Sequence, residues 1–266
     1  MSVIPSNLHT HTCFCDGQDQ PEALVLEAIR LGCPVIGFSG HSHTDFDQSY
    51  CMTREGTEAY CAEVRRLQQV YAGQIRILLG VEQDYFSDMP TDGYDFVIGS
   101  VHYLRRNGEY RSIDHSIEGH QAMIRDWFKG DAYAFAEAYF EQAGDLYRKT
   151  HCDIIGHFDV VSKFSERATI LDLNHPRYRA AADRALAELI GAPVAFEINA
   201  GAMARGLRTD PYPDAQMREV LRQHSVCMFW TSDCHKKENL LFGMTPSPEE
   251  SANFDRFVEH ITQRQL

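Results

Sequence analysis

The sequence predicts one α/β domain built as a closed barrel of parallel strands. Short apolar runs alternate with helical patterns along the whole chain, which is typical of consecutive β/α units. The 266 residues, 44% of them hydrophobic, supply enough core for one large domain. No repeat, low-complexity stretch or linker divides them. Seven such units favour a closed sheet over an open one, and we expect a single domain over residues 1–266.

Each predicted element follows from its local pattern. Seven apolar runs predict strands at 4–9, 34–39, 75–82, 96–102, 153–157, 193–199 and 226–232. The stretches between them predict helices at 21–31, 57–71, 131–149, 177–189, 213–223 and 249–263. The first helix has Pro21 at its start and Gly32 just past its end, as helices commonly do. The pair Asn107-Gly108 predicts a tight hairpin.

Metal-ligand residues follow almost every predicted strand. His9-Thr10-His11 and Asp233-Cys234-His235 each place two ligand types two residues apart, on one face of an extended chain. Other strand ends carry further ligand types, namely His41, Glu82, His102, His157 and Glu197. A hydrogen-bonded core imidazole is the usual alternative for a single histidine. Six of the 13 histidines at strand ends favour a shared site instead, because α/β barrels gather their chemistry there.

The number of candidate ligands predicts more than one metal ion. Six imidazoles and three carboxylates are too many for one four-coordinate zinc. The candidates are His9, His11, Asp16, His41, Glu82, His102, His157, Asp233 and His235. They suit two or three ions with a bridging carboxylate, and nitrogen with oxygen ligands suits zinc, manganese or iron. A thiolate ligand from Cys13 or Cys15 is a less favoured alternative.

Composition limits the partners and the compartment. A net charge of −13 and a pI near 5.4 argue against general binding to nucleic acid or anionic membranes. The sequence shows no basic N-terminal region followed by an apolar stretch, so we expect no leader, and no apolar run is long enough to cross a bilayer. The eight cysteines lack C-x-x-C spacing, which favours a reducing compartment. We expect a cytoplasmic protein that acts on a small molecule, and the oligomeric state stays open.

Seven strings resemble those of the PHP (polymerase and histidinol phosphatase) superfamily, in the family's order and over nearly the whole chain. They are HTHTCFCDG at 9–17, GFSGHSH at 37–43, GVEQDY at 80–85, GSVHY at 99–103, GHFD at 156–159, FEIN at 196–199 and SDCH at 232–235. Within the superfamily, GSVHY, GHFD and Tyr212-Pro213 look most like the stand-alone histidinol-phosphate phosphatases.

The resemblance implies a distorted (β/α)7 TIM-like barrel with a trinuclear divalent metal site. The implied ligand sets are His9, His11, Glu82 and Asp233 for the first ion, Glu82, His102 and His157 for the second, and Asp16, His41 and His235 for the third. By this mapping Glu197 binds no metal and either hydrogen-bonds a ligand or packs in the core. The additional His43, beside His41, is expected to have no role, and substitution as a metal ligand is the less favoured alternative.

The resemblance also implies a reaction. It is the hydrolysis of L-histidinol phosphate to L-histidinol and phosphate, a step of histidine biosynthesis, through hydroxide activated by the metals. The predicted catalytic residues are Glu82, Asp233 and His235. The predicted substrate-binding residues are Lys163, Arg205, Arg208 and Asn199. Lys163 matches a basic position of the family, and arginine suits bidentate phosphate contact. A solvated surface charge is the alternative for each cation.

Three other functions remain open at this point. A phosphoesterase of the same superfamily could act on a nucleotide, a sugar phosphate or phosphotyrosine. An amidohydrolase-type barrel also begins with H-x-H, but it usually has eight units and often a lysine at the end of strand four, where this chain has Ser100-Val101-His102. A non-catalytic metal-binding module is less favoured, because such modules often lose ligands and all nine positions are filled here.

Overall fold

The computed structural model describes residues 4–264, which form a curled parallel sheet with helices outside it. The strands are β1 (Val35–Phe38), β2 (Arg76–Asp84), β3 (Phe96–Ser100), β4 (Tyr103–Arg106), β5 (Glu109–Ser112), β6 (Ile154–Ile155), β7 (Ala195–Asn199) and β8 (Met228–Thr231). Six of them pair in parallel in the order β1-β2-β3-β6-β7-β8. The structure confirms the predicted α/β class and parallel sheet.

The N-terminal segment joins the two edges of this sheet. On one side Asn7 N donates to Val35 O at 3.1 Å and Ser39 N donates to Thr10 O at 3.0 Å. On the other side His11 N donates to the carbonyl of Cys234 at 2.9 Å. The predicted strand 4–9 is therefore wrong as a regular strand, since it forms only isolated bridges. Those bridges nevertheless occupy the seventh position of a TIM-like barrel.

Ten helices occur in the described part of the chain, and they agree with most predictions. They are α1 (Pro21–Leu31), α2 (Arg54–Val70), α3 (Ile117–Phe128), α4 (Ala132–Gly144), α5 (Leu146–Thr150), α6 (Ser165–Ala168), α7 (Pro176–Ile190), α8 (Gly201–Ala204), α9 (Ala215–Gln223) and α10 (Pro248–Gln263). The predicted helix 131–149 breaks at Asp145 into α4 and α5. Helix α2 begins three residues before the prediction because the Thr53 side chain caps Gly56 N.

Helix α3 is the longest helix of the described residues that the sequence pattern does not predict; the short helices α6 and α8 are not predicted either. Its first turn contains Gly119 and His120, which are weak helix formers. Ser116 caps the helix by accepting a hydrogen bond from Gly119 N, and Met123 and Trp127 are buried one turn apart. Capping and tertiary burial therefore stabilise a helix that composition alone does not indicate.

The hairpin β4–β5 confirms the Asn-Gly prediction. Asn107 and Gly108 both have positive φ, 51° and 85°, as the two central residues of a type I′ turn require. The hairpin follows β3 directly and places Tyr103 and Ser112 beside the C-terminal end of the barrel. Within residues 4–264 we find no helix that combines the length and the apolar character needed to cross a membrane.

Aromatic and aliphatic side chains fill the inside of the barrel. Leu8, Leu78, Phe96, Ile98 and Phe229 belong to one buried cluster, and Phe254 of α10 packs against them. The chemistry of the molecule must therefore lie at the strand ends, where the polar side chains collect.

Candidate metal centre

Glu82, near the end of β2, is the centre of a cluster that contains all nine predicted ligands. The side chain is 1% exposed. His9 Nε2 and His41 Nδ1 lie 3.2 and 2.9 Å from its Oε2. His102 Nε2 and His157 Nε2 lie 3.2 and 2.9 Å from its Oε1, and 3.2 Å from each other. Four imidazoles from four different segments of the barrel thus meet one carboxylate.

Two further carboxylates extend the cluster towards the opening. Asp233 Oδ1 lies 3.2 Å from His11 Nε2 and 3.7 Å from His9 Nε2. Asp16 Oδ2 lies 3.2 Å from His235 Nε2, and Asp16 Oδ1 lies 3.6 Å from His41 Nε2. The two H-x-H and D-x-H strings therefore face each other, as the bridge between Thr10 and Cys234 requires.

These side chains fit divalent cations. Three groups bring their ligand atoms close enough to hold one ion each: His9, His11 and Asp233; His41, Glu82 and His102; and His11, Asp16, His41 and His235. Several of the atoms are buried without a hydrogen bond in the described residues: His9 Nε2, His11 Nε2, His41 Nδ1 and Glu82 Oε2. Buried polar atoms normally have partners. Because these atoms converge, a bound cation would provide the partner that they lack.

The grouping differs from the sets implied by the resemblance, chiefly at His41 and His11. His41 faces Glu82 through Nδ1 and Asp16 through Nε2. His11 likewise contacts Asp233 through Nε2 and lies 3.8 Å from Asp16 through Nδ1. These two rings therefore border two groups each. Which ion each ring binds stays a prediction.

A second set of carboxylates holds the histidine rings from behind. Glu197 Oε2 lies 2.8 Å from His9 Nδ1, and Glu197 Oε1 accepts a hydrogen bond from His157 N at 2.5 Å. Asp84 Oδ2 lies 3.1 Å from His102 Nδ1. A carboxylate only accepts hydrogen bonds, so each Nδ1 carries a proton and each Nε2 points into the cluster, where it could bind a metal once it has lost its own proton. The hydrogen-bonding alternative for Glu197 agrees with this geometry.

The electrostatics of the cluster keep the acids ionised. Burial alone would raise the pKa of Glu82, but His41, His9 and His102 outweigh it and hold that pKa well below its usual range. Burial is likewise opposed at Asp233, where His9 and Arg205 keep the pKa well below normal. Burial, with His235 and His41 nearby, lowers the pKa of His11 to about 3. Charged carboxylates and a neutral imidazole are the forms that bind metals.

Two other imidazoles hold protons instead. Burial lowers the pKa of His9, but the carboxylates of Glu197 and Glu82 raise it by more than burial lowers it. The pKa of His9 therefore lies well above its usual value. His102 behaves in the same way, with burial overcome by Glu82 and Asp84. A cation must therefore displace protons from these rings, which couples its binding to pH.

A cavity of about 230 Å³ opens beside the cluster. Lys163 and Arg205 line it, as expected for residues that bind an anionic substrate. Lys163 Nζ donates to the carboxylate of Asp114 at 2.9 Å and to its backbone carbonyl at 2.8 Å. Arg205 Nη2 donates to Asp233 Oδ2 at 3.0 Å. Both cations are therefore held at the cavity wall by acids that line it too.

The other two predicted substrate contacts do not line the cavity. Asn199 is 0% exposed, its Nδ2 donates to Glu197 and its Oδ1 accepts from Gly201 N. The Arg208 side chain is 2% exposed and is paired with Asp159. Both side chains form their hydrogen bonds with other groups inside the protein. Their placement as substrate contacts is corrected to a supporting position behind the wall.

Several cavity residues were missed by the sequence reasoning. They are Asp47, Ser49, Tyr50, Tyr103, Ser112, Asp114, His115 and Tyr212. Most belong to loops without periodicity, so no pattern points to them. His115, which follows no predicted strand, also lies at the cavity. Tyr103 and Tyr212 occur within the quoted family strings, which is the one signal that could have found them.

Two side chains near the cluster are accounted for by other contacts. His43 lies 3.0 Å from Met52 O through Nδ1 and 2.9 Å from Asp45 Oδ1 through Nε2. The ring thus forms contacts within the loop after β1, and its lack of a metal role stays a prediction. Cys15 Sγ lies 3.5 Å from His11 Nδ1 and donates to Thr12 O at 3.4 Å.

Comparison with known proteins identifies the class of this metal-binding barrel. The model of the PHP domain family matches residues 7–201, and the chain belongs to that family. The match covers seven of the nine predicted ligands, and Asp233 and His235 follow it in the sequence. That the whole chain forms one such domain remains a prediction.

The named relatives are phosphatases. The chain is 27% identical to a protein of Schizosaccharomyces pombe named "Probable histidinol-phosphatase", over 87% of this chain and 81% of that one. It is 30% identical to the histidinol-phosphatase of Bacillus subtilis, over 59% of this chain and 66% of that one.

Solved structures support the fold. A histidinol phosphatase candidate, hisK of Listeria monocytogenes, matches with a TM-score of 0.75 and 21% identity, over 90% of this chain and 98% of that one. The histidinol phosphate phosphatase of Lactococcus lactis, complexed with zinc, L-histidinol and phosphate, matches with a TM-score of 0.68 and 17% identity. That match covers 98% of this chain and 94% of the other. At these identities the likeness concerns the barrel.

Proposed function

We propose that the chain is a metal-dependent phosphomonoesterase that hydrolyses L-histidinol phosphate to L-histidinol and phosphate. The observation that carries the proposal is the convergence of unpartnered, buried imidazole nitrogens and carboxylate oxygens around Glu82, beside a cavity lined by two cations. The choice of substrate rests on the relatives that are named histidinol-phosphatase. Mixed nitrogen and oxygen ligands suit zinc, manganese or iron.

The proposal gives each part of the centre a task. Divalent cations, when bound, activate water for attack and neutralise the phosphoryl oxygens. The ligands would be His9, His11, Asp16, His41, Glu82, His102, His157, Asp233 and His235. Glu82 reaches groups on both of its oxygens, so it would set the spacing between two ions. Lys163 and Arg205 would bind and orient the phosphate from the cavity wall.

Asp233 and His235 complete the proposed catalytic set with Glu82. Asp233 Oδ2 accepts from Arg205, while its Oδ1 faces the histidines of the cluster. The carboxylate therefore connects the proposed phosphate contact with the proposed metal ligands. His235 lies at the opening, with its ring 20% exposed, and is the imidazole among the nine proposed ligands that solvent reaches most readily.

A phosphatase of the same family with another substrate is the second candidate. It is favoured by the polar loops around the cavity, because Asp47, Ser49 and Tyr50 are not part of the quoted family strings. A purely metal-binding role has less support, since the ligand positions are complete and a cavity adjoins them. We further propose a cytoplasmic location, as the cysteine pattern predicts, and the partner would be a small phosphate monoester.

The experiment is phosphate release by the metal-loaded chain. L-histidinol phosphate is compared at equal concentration with a nucleoside monophosphate, a sugar phosphate and phosphotyrosine. We expect kcat/KM for L-histidinol phosphate to exceed each of the others by about tenfold or more. A higher value for another ester would overturn the substrate. Absence of release from every ester by metal-loaded protein would overturn the phosphatase itself.

A further inference from the structure

A buried ion pair lies behind the cavity wall. The side chains of Asp159 and Arg208 are 0% and 2% exposed. Arg208 Nη1 donates to Asp159 Oδ2 at 3.3 Å and to the hydroxyl of Ser162, while Nε donates to Asp210 O at 3.1 Å. Removing two charges from water is costly, and an apolar pair of similar size is often equally stable. Stability alone therefore does not account for this pair.

The pair joins two loops of the barrel. Asp159 lies in the loop after β6, and Arg208 lies in the loop after β7. Two exposed contacts join the same loops. Arg167 Nε donates to Gly206 O at 2.9 Å, and Thr209 N donates to the carboxylate of Glu166 at 3.0 Å. Unlike these two, the contacts of Arg208 with Asp159 and Ser162 are shielded from water, so solvent and salt disturb their geometry less.

Each of these loops presents one cation to the cavity. Lys163 belongs to the first loop and Arg205 to the second. The Arg208 guanidinium lies over the ring of Tyr212, 4.5 Å from its centre, and Tyr212 lines the cavity with its ring centre 6.4 Å from that of His157. The same guanidinium thus supports the cavity wall and holds the two loops together.

We propose that Arg208 is a positioning residue that, through Asp159, fixes the spacing of Lys163 and Arg205 and so sets the affinity of the site for a phosphoryl group. Arg208 does not line the cavity and touches no predicted metal ligand. The inference rests on the proposed function, in which both cations contact phosphate. It explains why a cation chosen from sequence as a phosphate contact is buried one layer behind the wall.

The test removes the pair without leaving a lone buried charge. The double variant Asp159→Leu with Arg208→Met replaces both charges by apolar groups. Its control is Arg177→Met, which removes exposed ion pairs with Asp131 and Glu137 outside the cavity. Binding of inorganic phosphate to the metal-loaded proteins is measured by calorimetry. Metal content, thermal unfolding and the kcat and KM for L-histidinol phosphate are measured beside it.

We expect the double variant to keep its metal and its folding transition while the Kd for phosphate rises about tenfold, because small misplacements of positioning groups are costly. The KM should rise with it, and kcat should change less. The control should retain the wild-type Kd. A folded, metal-loaded double variant with the wild-type Kd would overturn the inference and leave the pair a purely structural one.

A second variant decides the question if the double variant does not fold. Arg208→Lys keeps the charge beside Asp159 but loses the planar contact with Tyr212 and the donor to Asp210 O. We expect a weaker phosphate affinity here too, and an unchanged Kd overturns the inference. Failure of the proposed function looks different, because then wild-type protein releases no phosphate from any ester, whatever the variants bind.

Discussion

Glu197 is buried behind the centre, yet its carboxylate contacts the ring of His9 and the backbone of His157. It also accepts hydrogen bonds from Thr231 Oγ1 and Asn199 Nδ2, each at 2.8 Å. The pKa of Glu197 is lowered, since His9 and His157 outweigh the effect of burial. A single charged side chain thus orients two proposed ligands. Its removal should weaken metal binding, although Glu197 is not itself a proposed ligand.

Glu197→Gln should weaken metal binding. The amide keeps the size of the side chain but allows His9 to turn its protonated nitrogen towards the cluster. Loss of such supporting contacts commonly lowers metal affinity about 10–100-fold. Competition with a chelator measures the affinity, and Glu137→Gln, an exposed carboxylate, is the control. Wild-type affinity in Glu197→Gln would contradict the orienting role.

Gly201 controls the position of Asp233. A Cβ atom at residue 201 would lie 2.6 Å from Asp233 Oδ2 and 2.9 Å from its Cγ. Gly201→Ala should therefore displace the carboxylate, with a large loss of phosphate release and a reduced metal content in folded protein. Gly191→Ala is the matched control, because that Cβ meets nothing within 4 Å. Equal activity of the two variants would show that Asp233 tolerates displacement.

At the scale of elements, helix α3 contains a histidine that makes folding sensitive to acid. His120 is 1% exposed, its Nδ1 lies 3.1 Å from Ile113 O, and its ring packs against Phe135. Burial lowers the pKa of His120 from 6.5 to about 4. The unfolded chain therefore binds this proton first as the pH falls. The stabilisation is complete above pH 6.5 and is lost between pH 6.5 and 4.

His120→Asn should reduce the acid sensitivity of the fold, because asparagine keeps a donor near Ile113 O and does not titrate. Between pH 7.5 and 5, wild type should lose about 2 kcal/mol more free energy of unfolding than the variant. Urea unfolding at both pH values measures the difference, and metal loss, which is common to both proteins, cancels. Parallel pH profiles would contradict a buried, neutral His120.

Elements also mark the limit of what the sequence predicts. Apolar runs such as 75–82 and 193–199 predict strands well because burial on both faces leaves little ambiguity. The segment 4–9 also reads as a strand, but its pairing switches from β1 to the end of β8 and stays too short for a regular ladder. Helix α3 depends on its cap and on tertiary contacts. Periodicity contains neither kind of information.

For the whole molecule, the convergence of the proposed ligand residues could be predicted and the cavity could not. Histidines and acids at strand ends share one edge of a barrel whatever the loops do, so Glu82, His102 and Asp233 converge as expected. Arg208 and Asn199 are of suitable chemical types but point inward. Loop conformation decides that direction, and no repeating pattern in the sequence records it. For the same reason, the positions of Asp114 and His115 at the cavity could not be predicted.

Metal loading of the whole centre should depend on pH. His9 and His102 hold protons because neighbouring carboxylates raise each pKa, so cations compete with protons for these rings. Affinity should therefore fall as the pH decreases, and binding at constant pH should release protons. Calorimetry in two buffers of different ionisation enthalpy measures that release. Binding without proton release would contradict the protonated state of these rings.

Elemental analysis of purified, metal-replete protein tests the central claim most directly. We predict more than one divalent cation per chain, approaching about three because the nine side chains exceed what one ion can use. Glu82→Gln should lower that number while far-UV circular dichroism stays unchanged. One ion or none in folded wild-type protein, or the same number in Glu82→Gln, would contradict a multinuclear centre built around this carboxylate.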